Sequence, residues 1–264
     1  MNQGKTRRLK RIMRQDNRTV IVPMDHGVTI GPIEGIINMQ QVINQLLKGG
    51  VDAVLVHKGM AKLVDAGNAG LIVQLSGMSN LSPNINGKVQ VCTVQEAIGL
   101  GAEAVSVHVN VGAQDENKML SNLGKVSDEC DIYGMPLLAM MYPRGPKIQD
   151  EHAPDVVAHA ARIGAELGAD IIKANFTGNI ETFKTVIEGC SPVPVVIAGG
   201  PKCKSPQEIL QTTHDSIKAG AAGLSIGRNV FQHENPTLMV KALSAIVHNG
   251  VSVEQALKIL GEKP

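Results

Sequence analysis

Eight short apolar runs recur along the chain: TVIVPM (19–24), VDAVLVHK (51–58), LIVQLS (71–76), EAVSVHV (103–109), PLLAMM (136–141), ADIIKA (169–174), VPVVIA (193–198) and AGLSIG (222–227). Each is almost continuously apolar rather than alternating, the pattern of strands buried on both faces of a parallel sheet. Between most of them the apolar residues switch to helical spacing. "PDVVAHAARIGAELGA" keeps an apolar stripe, and "SPQEILQTTHDSIKAGA" opens with Ser and then Pro at the first helical position. One junction repeats. "KGGVDAVLV", "GLGAEAVSV", "ELGADIIKA" and "KAGAAGLSI" each pass from a helix end through glycine into a strand, glycine being the expected helix stop. Eight such units in 264 residues predict an α/β fold, a closed (β/α)8 TIM barrel in a single domain spanning 19–264. An open doubly wound sheet would carry a GxGxxG turn after its first strand. Here "MDHGVTIGP" follows instead. The longest irregular stretch, about 76–92, reads as loop.

Composition sharpens this in one respect. The chain is 43 % apolar but has no Trp, two Tyr and three Phe, so the core is aliphatic. A net charge of +1 favours no particular partner. Cys92, Cys130, Cys190 and Cys203 are widely spaced, without a CxxC pair, and read as reduced thiols of a cytoplasmic protein. No run is long enough to cross a membrane, and the first residues lack a signal-peptide core. The segment 1–18 is basic, with Lys5, Arg7, Arg8, Lys10, Arg11, Arg14 and Arg18 against Asp16 alone. It predicts a helical extension that packs on the barrel through Leu9, Ile12 and Met13. No aromatic residues interleave with its cations, as stacking on nucleic acid would need.

Barrel active sites are built at the C-terminal ends of the strands. Those ends carry Asp25, His26 and Gly27 (first), His57 and Lys58 (second), Ser76 (third), His108 and Asn110 (fourth), and Tyr142 and Arg144 (fifth). Lys173 and Asn175 follow from the sixth, Gly199 and Gly200 from the seventh, Gly227 and Arg228 from the eighth. Lys173 is the most telling of these, because an unpaired ammonium is costly inside a strand. It is either balanced by a nearby carboxylate or kept for chemistry. Burial disfavours the charged form of a lysine, and a neutral amine forms a Schiff base with a ketone. Asp25 and Tyr142 are the candidate proton carriers, with a loop-capping aspartate and an ordinary buried tyrosine as the plain alternatives. "AGGP" and "IGRN" offer unobstructed backbone N–H groups and the Arg228 guanidinium, a phosphate cradle of the kind barrels form after their last two strands. His26, Gly27 and Arg144 at the same face join the candidate substrate-binding set. Three histidines, His26, His57 and His108, raise a metal site as the rival, but no HxH or HExxH spacing supports it. The imine route needs neither metal nor cofactor.

The motifs "VIVPMDHGVTIGP", "SVHVNVGA", "MMYPRG", "GADIIKANFTG", "VVIAGGPK" and "GLSIGRNVFQH" stand in an order that resembles the archaeal-type class I aldolase family, over about residues 4–260. Within it the chain is most similar to the amino-heptulosonate synthases. The resemblance implies a barrel whose Schiff-base lysine is Lys173, with Asp25 and Tyr142 as proton carriers and Gly199, Gly200, Gly227 and Arg228 around a phosphate. It implies transfer of a three-carbon fragment from a ketose-type phosphate donor, a 1-deoxy-hexodiulose 6-phosphate or dihydroxyacetone phosphate, to L-aspartate 4-semialdehyde. Such products lead to aromatic amino acids or to aminohydroxybenzoates. It also implies a small-molecule enzyme that forms large homo-oligomeric rings. Fructose-bisphosphate aldolases of the family, the alternative reading, tend to carry a tryptophan two residues before the tyrosine. Here Met140 stands there. Asn175 and Phe176 depart from the family pattern of a small polar residue followed by Tyr.

Overall fold

The computed structural model describes residues 3–262. Eight parallel strands close a barrel: β1 Thr19–Pro23, β2 Ala53–His57, β3 Gly70–Gln74, β4 Ala104–Val111, β5 Leu137–Pro143, β6 Ile171–Ala174, β7 Val195–Ala198 and β8 Gly223–Ser225. Every strand pairs with its neighbours in sequence, and β1 pairs with β8 to close the ring. Each expected apolar run holds one of these strands. Helices follow the strands and cover the outside.

Why the runs are apolar throughout is visible in two separate cores. On β6, Ile172 and Ala174 face the helices, whereas Ile171 faces the barrel axis beside Ile21, Leu55, Ile72, Leu138 and Val196. The period-two alternation of a strand then turns Lys173 inward as well, one layer above Ile171. On β5 the same parity lines up Leu138, Met140 and Tyr142 inside.

The basic N-terminal segment forms a helix, Gln3–Ile12, at the opposite end of the barrel from the candidate site. Ile12 is fully buried and belongs to the interior cluster, with Leu9 and Met13 packed beside it. It closes the barrel floor. Its carbonyl accepts a hydrogen bond from Thr19 Oγ1 at 2.5 Å. Five of the segment's seven cations are taken up locally. Helices of a (β/α)8 barrel end at this floor, so their negative dipole ends and uncapped carbonyls gather there. Arg8, Arg14 and Arg18 donate to the carbonyls of Gly134, Gly50 and Val247 at 2.7–2.8 Å. Arg14, Arg11 and Lys5 pair with Asp52, Glu103 and Asp170. Those three acids sit in three of the four repeated glycine junctions. Each also accepts an N–H from the first two residues of a neighbouring strand, that of Val20, Leu71 and Leu137 respectively. The acid is thus a strand-start bracket and a docking point at once.

The segment 76–92, expected as loop, contains a short ribbon in which Ser76–Gly77 pairs antiparallel with Val89–Gln90. Two-residue strands leave no periodic signal. Among the described residues no helix is long and apolar enough to cross a membrane.

Candidate active site

The strand C-termini surround a cavity of about 410 Å³. Asp25, His26, His108, Tyr142, Arg144, Lys173, Gly199, Gly200, Gly227 and Arg228 all line it, as do Asn110 and Asn175. Gly27 does not. It lies in the helical turn His26–Ile30 directly after β1, and its carbonyl accepts from Gly31. Lys58 also turns away, to Glu96 on the outside at 3.1 Å. In exchange the loop after β3 contributes Lys88, which strand-end reasoning missed because it stands fourteen residues past Gln74.

Lys173 is 6 % exposed and makes no hydrogen bond or ion pair among the described residues. Its register partners are Met140 on β5 and Val196 on β7, so its stem is held between apolar side chains. The amine therefore meets the cavity without a bound counter-ion. Asp25 is the one carboxylate lining the cavity among the described residues. Its Oδ2 accepts from Gln74 Nε2 at 3.2 Å, and Oδ1 lies 3.8 Å from His26 Nδ1. Burial pushes its carboxyl upward. His26, Lys173 and His57 together with the Gln74 amide outweigh this and hold it below the usual carboxylate range. Asp25 is thus an ionised base beside an amine.

Tyr142 sits across β5–β4 from Asn110 and one layer above Met140. The His108 ring packs edge-on against it at 4.9 Å between centroids, and the Arg144 guanidinium lies 4.7 Å from its ring centre. His108 is itself fixed by Asn110, whose Oδ1 is 2.8 Å from Nε2. Arg144 is fixed by Glu151 at 2.7 Å. Asn175 donates to the Glu151 carbonyl, whereas Phe176 turns out to pack on Phe183.

On the other wall, Gly227 touches its surroundings so closely that a Cβ would lie 2.6 Å from the Pro23 carbonyl and 2.8 Å from His26. Gly200 has φ +61°, a left-handed conformation suited to glycine. Arg228 donates to the Gly200 carbonyl at 3.0 Å, while its Nε and the nearby Ser225 hydroxyl are buried without partners among the described residues. Unpaired buried donors beside two bare glycine turns suit an anion such as phosphate.

Lys88, Arg144, Lys173 and Arg228 make the mouth cationic against the single carboxylate of Asp25. Protonation of the three histidines is disfavoured in this setting. Burial lowers all three, and the Lys88 ammonium adds to it at His57 and His108, the latter falling well below the ordinary value. No group of three or more His, Cys, Asp or Glu side chains is arranged as metal ligands would be among the described residues.

A stability prediction follows from those histidines. In the unfolded chain they take up protons near about pH 6.5; folded, they resist until lower pH. The unfolded state then binds more protons, so stability present above about pH 6.5 is lost as pH falls through the folded values. Urea unfolding between about pH 7.5 and about pH 5.5 is expected to show this loss, with a shallower slope in His108→Asn. An unchanged slope in the variant would remove His108 from the account.

A DeoC/LacD family aldolase model matches residues 19–233. The chain is 45 % identical over 262 residues to 2-amino-3,7-dideoxy-D-threo-hept-6-ulosonate synthase 1 of Archaeoglobus fulgidus, covering 98 % of this chain and 96 % of that protein. It is 41 % identical over 246 residues to 2-amino-4,5-dihydroxy-6-oxo-7-(phosphonooxy)heptanoate synthase of Streptomyces griseus, covering 92 % and 89 %. A solved archaeal fructose-1,6-bisphosphate aldolase, its catalytic lysine covalently bound to the carbinolamine intermediate of its substrate, superposes with a TM-score of 0.87. It shares 32 % identity over 92 % of this chain and 99 % of that one.

Proposed function

This chain belongs to the DeoC/LacD aldolase family, and we propose that it is a Schiff-base aldolase that joins a three-carbon fragment to L-aspartate 4-semialdehyde. The donor is a ketose-type phosphate, dihydroxyacetone phosphate or a 1-deoxy-hexodiulose 6-phosphate, and the product an amino-heptulosonate. The observation that carries the reading is a buried lysine without a counter-ion, sharing one cavity with an ionised carboxylate and a phenol. Its product class rests on the names of the relatives from Archaeoglobus fulgidus and Streptomyces griseus.

The steps balance with these groups. Asp25 takes a proton from the Lys173 ammonium, and the neutral Nζ attacks the donor carbonyl. The carbinolamine oxygen leaves as water when the proton held by Asp25 is passed to it, directly or through Tyr142, which leaves Asp25 ionised again. The iminium draws electrons from the adjacent bond. Asp25 takes the proton released there, from carbon with dihydroxyacetone phosphate or from the hydroxyl of a longer donor, whose aldehyde half departs. The enamine carbon then attacks the semialdehyde carbonyl, the new alkoxide takes the proton back, and water frees Lys173. Gly199, Gly200, Gly227 and Arg228 hold the phosphate. His26 packs edge-on to Phe231 at 5.3 Å and lies 3.8 Å from Asp25 through Nδ1.

Homo-oligomeric assembly and a cytoplasmic setting belong to the same reading. Leu81, Ile37, Ile132 and Leu63 stand exposed, as residues covered in subunit contacts do before assembly. The four cysteines are unpaired. The test is product analysis by mass spectrometry after incubation with the semialdehyde and either donor. A phosphorylated or dephosphorylated seven-carbon amino product is expected. Cleavage of fructose 1,6-bisphosphate with no product from either donor would replace this reading with that of a fructose-bisphosphate aldolase.

A further inference from the structure

The phosphate cradle follows β7 and β8, and in the closed strand order β3 lies diametrically opposite β7. The loop after β3 is not loose. Its stem is the ribbon Ser76–Gly77 with Val89–Gln90. Asn110 donates to the Asn86 carbonyl at 2.8 Å, and Gly87 N–H donates to Asn84, itself hydrogen-bonded to Asp115 at 2.5 Å. A Cβ on Gly87 would lie 2.6 Å from Asn84 and 2.9 Å from Asp115, so the turn is tightly folded. This anchored turn delivers one charged side chain into the cavity, Lys88. Its ammonium has no hydrogen bond or ion pair among the described residues, though Asp25 and Arg144 both lie within electrostatic reach. Burial, more than the Arg144 charge, disfavours its protonated form, and Asp25 opposes both. A hydrogen-bonded loop that holds an unpaired cation over a cavity is arranged to receive an anion.

We infer that Lys88 is a specificity-determining residue that binds the anionic group of the incoming aldehyde, across the cavity from the phosphate cradle. Building on the proposed reaction, that group is the carboxylate of the semialdehyde. Lys173, on β6, stands between the two anion sites in the strand order, so an anion at each end sets the aldehyde carbon toward the enamine. Arg144 is already engaged by Glu151, which leaves Lys88 the unengaged cation on this wall.

The experiment is steady-state kinetics with dihydroxyacetone phosphate and L-aspartate 4-semialdehyde on the full chain, comparing wild type, Lys88→Met and Lys88→Arg. Lys88→Met is expected to raise KM for the semialdehyde by about 10–100-fold, the scale of a lost hydrogen bond to a charged group. KM for the donor and borohydride trapping of donor alone are expected to stay within about threefold. Lys88→Arg is expected to restore most of the affinity, and turnover of a neutral aldehyde such as butanal is expected to be the same in wild type and Lys88→Met. An unchanged semialdehyde KM, or an equal loss on the neutral aldehyde, overturns the assignment. Wild type that turns over the semialdehyde with neither dihydroxyacetone phosphate nor the diulose phosphate overturns the proposed reaction and this assignment with it, an outcome separate from a wild type that works and a variant that works equally.

Discussion

Lys173→Met is expected to abolish turnover and imine trapping while leaving the barrel folded. Methionine has a similar length and is tolerated in the aliphatic slot between Met140 and Val196. No hydrogen bond or ion pair within the described residues is lost with the amine. The structural cost is therefore small. The chemical cost is large because the covalent route disappears. A loss of about 10⁴-fold or more is expected, the scale seen when a covalent nucleophile is removed. Thermal unfolding within a few degrees of wild type, together with kcat at background, is the expected pair of results. Retention of more than about a hundredth of the activity would mean that another group carries the bond chemistry.

Asp25→Asn is the second large effect. Asparagine keeps the size and can still accept from Gln74, but it cannot take a proton. Proton transfer by a positioned side chain contributes about 10²–10⁴-fold, and kcat is expected to fall by that amount with donor KM little changed. The sign of the pH dependence is set by the same surroundings. Because the cationic neighbours hold the Asp25 carboxyl below its usual range, the base form is present above that range and lost only as pH falls through the lowered value. Asp25 therefore adds no acid limb to the rate profile near neutrality. A kcat within tenfold of wild type in Asp25→Asn would assign the proton transfer to Tyr142 alone.

The barrel was legible because strands buried on both faces leave continuous apolar runs, and because a lysine inside one such run breaks its own neighbourhood's rule. The parity that turns Lys173 inward also turns Tyr142 inward, so one strand-level regularity assembles two-thirds of the proposed catalytic set. The misses have physical causes. Lys58 follows β2 directly, yet the chain enters a helical turn at that residue and aims the side chain at Glu96. Gly27 follows β1 in the same way and sits inside a turn rather than on the cavity wall. Lys88 reaches the cavity through contacts of Asn84 and Asn86 with residues far along the chain, which no local pattern encodes. The acids of the repeated junctions were equally silent. Asp52, Glu103 and Asp170 stand as isolated acids at the starts of three of the apolar runs, and their role shows only once the basic helix Gln3–Ile12 is docked beneath them. That docking gives Lys5, Arg8, Arg11, Arg14 and Arg18 partners within the chain itself.

The most direct test of the central claim is borohydride trapping. The protein is mixed with dihydroxyacetone phosphate or fructose 1,6-bisphosphate, reduced, and read by intact mass and peptide mapping. The account predicts a stable adduct on Lys173 that is absent from Lys173→Met. An adduct on any other lysine, Lys88 included, or none with these donors and with the diulose phosphate, would contradict it.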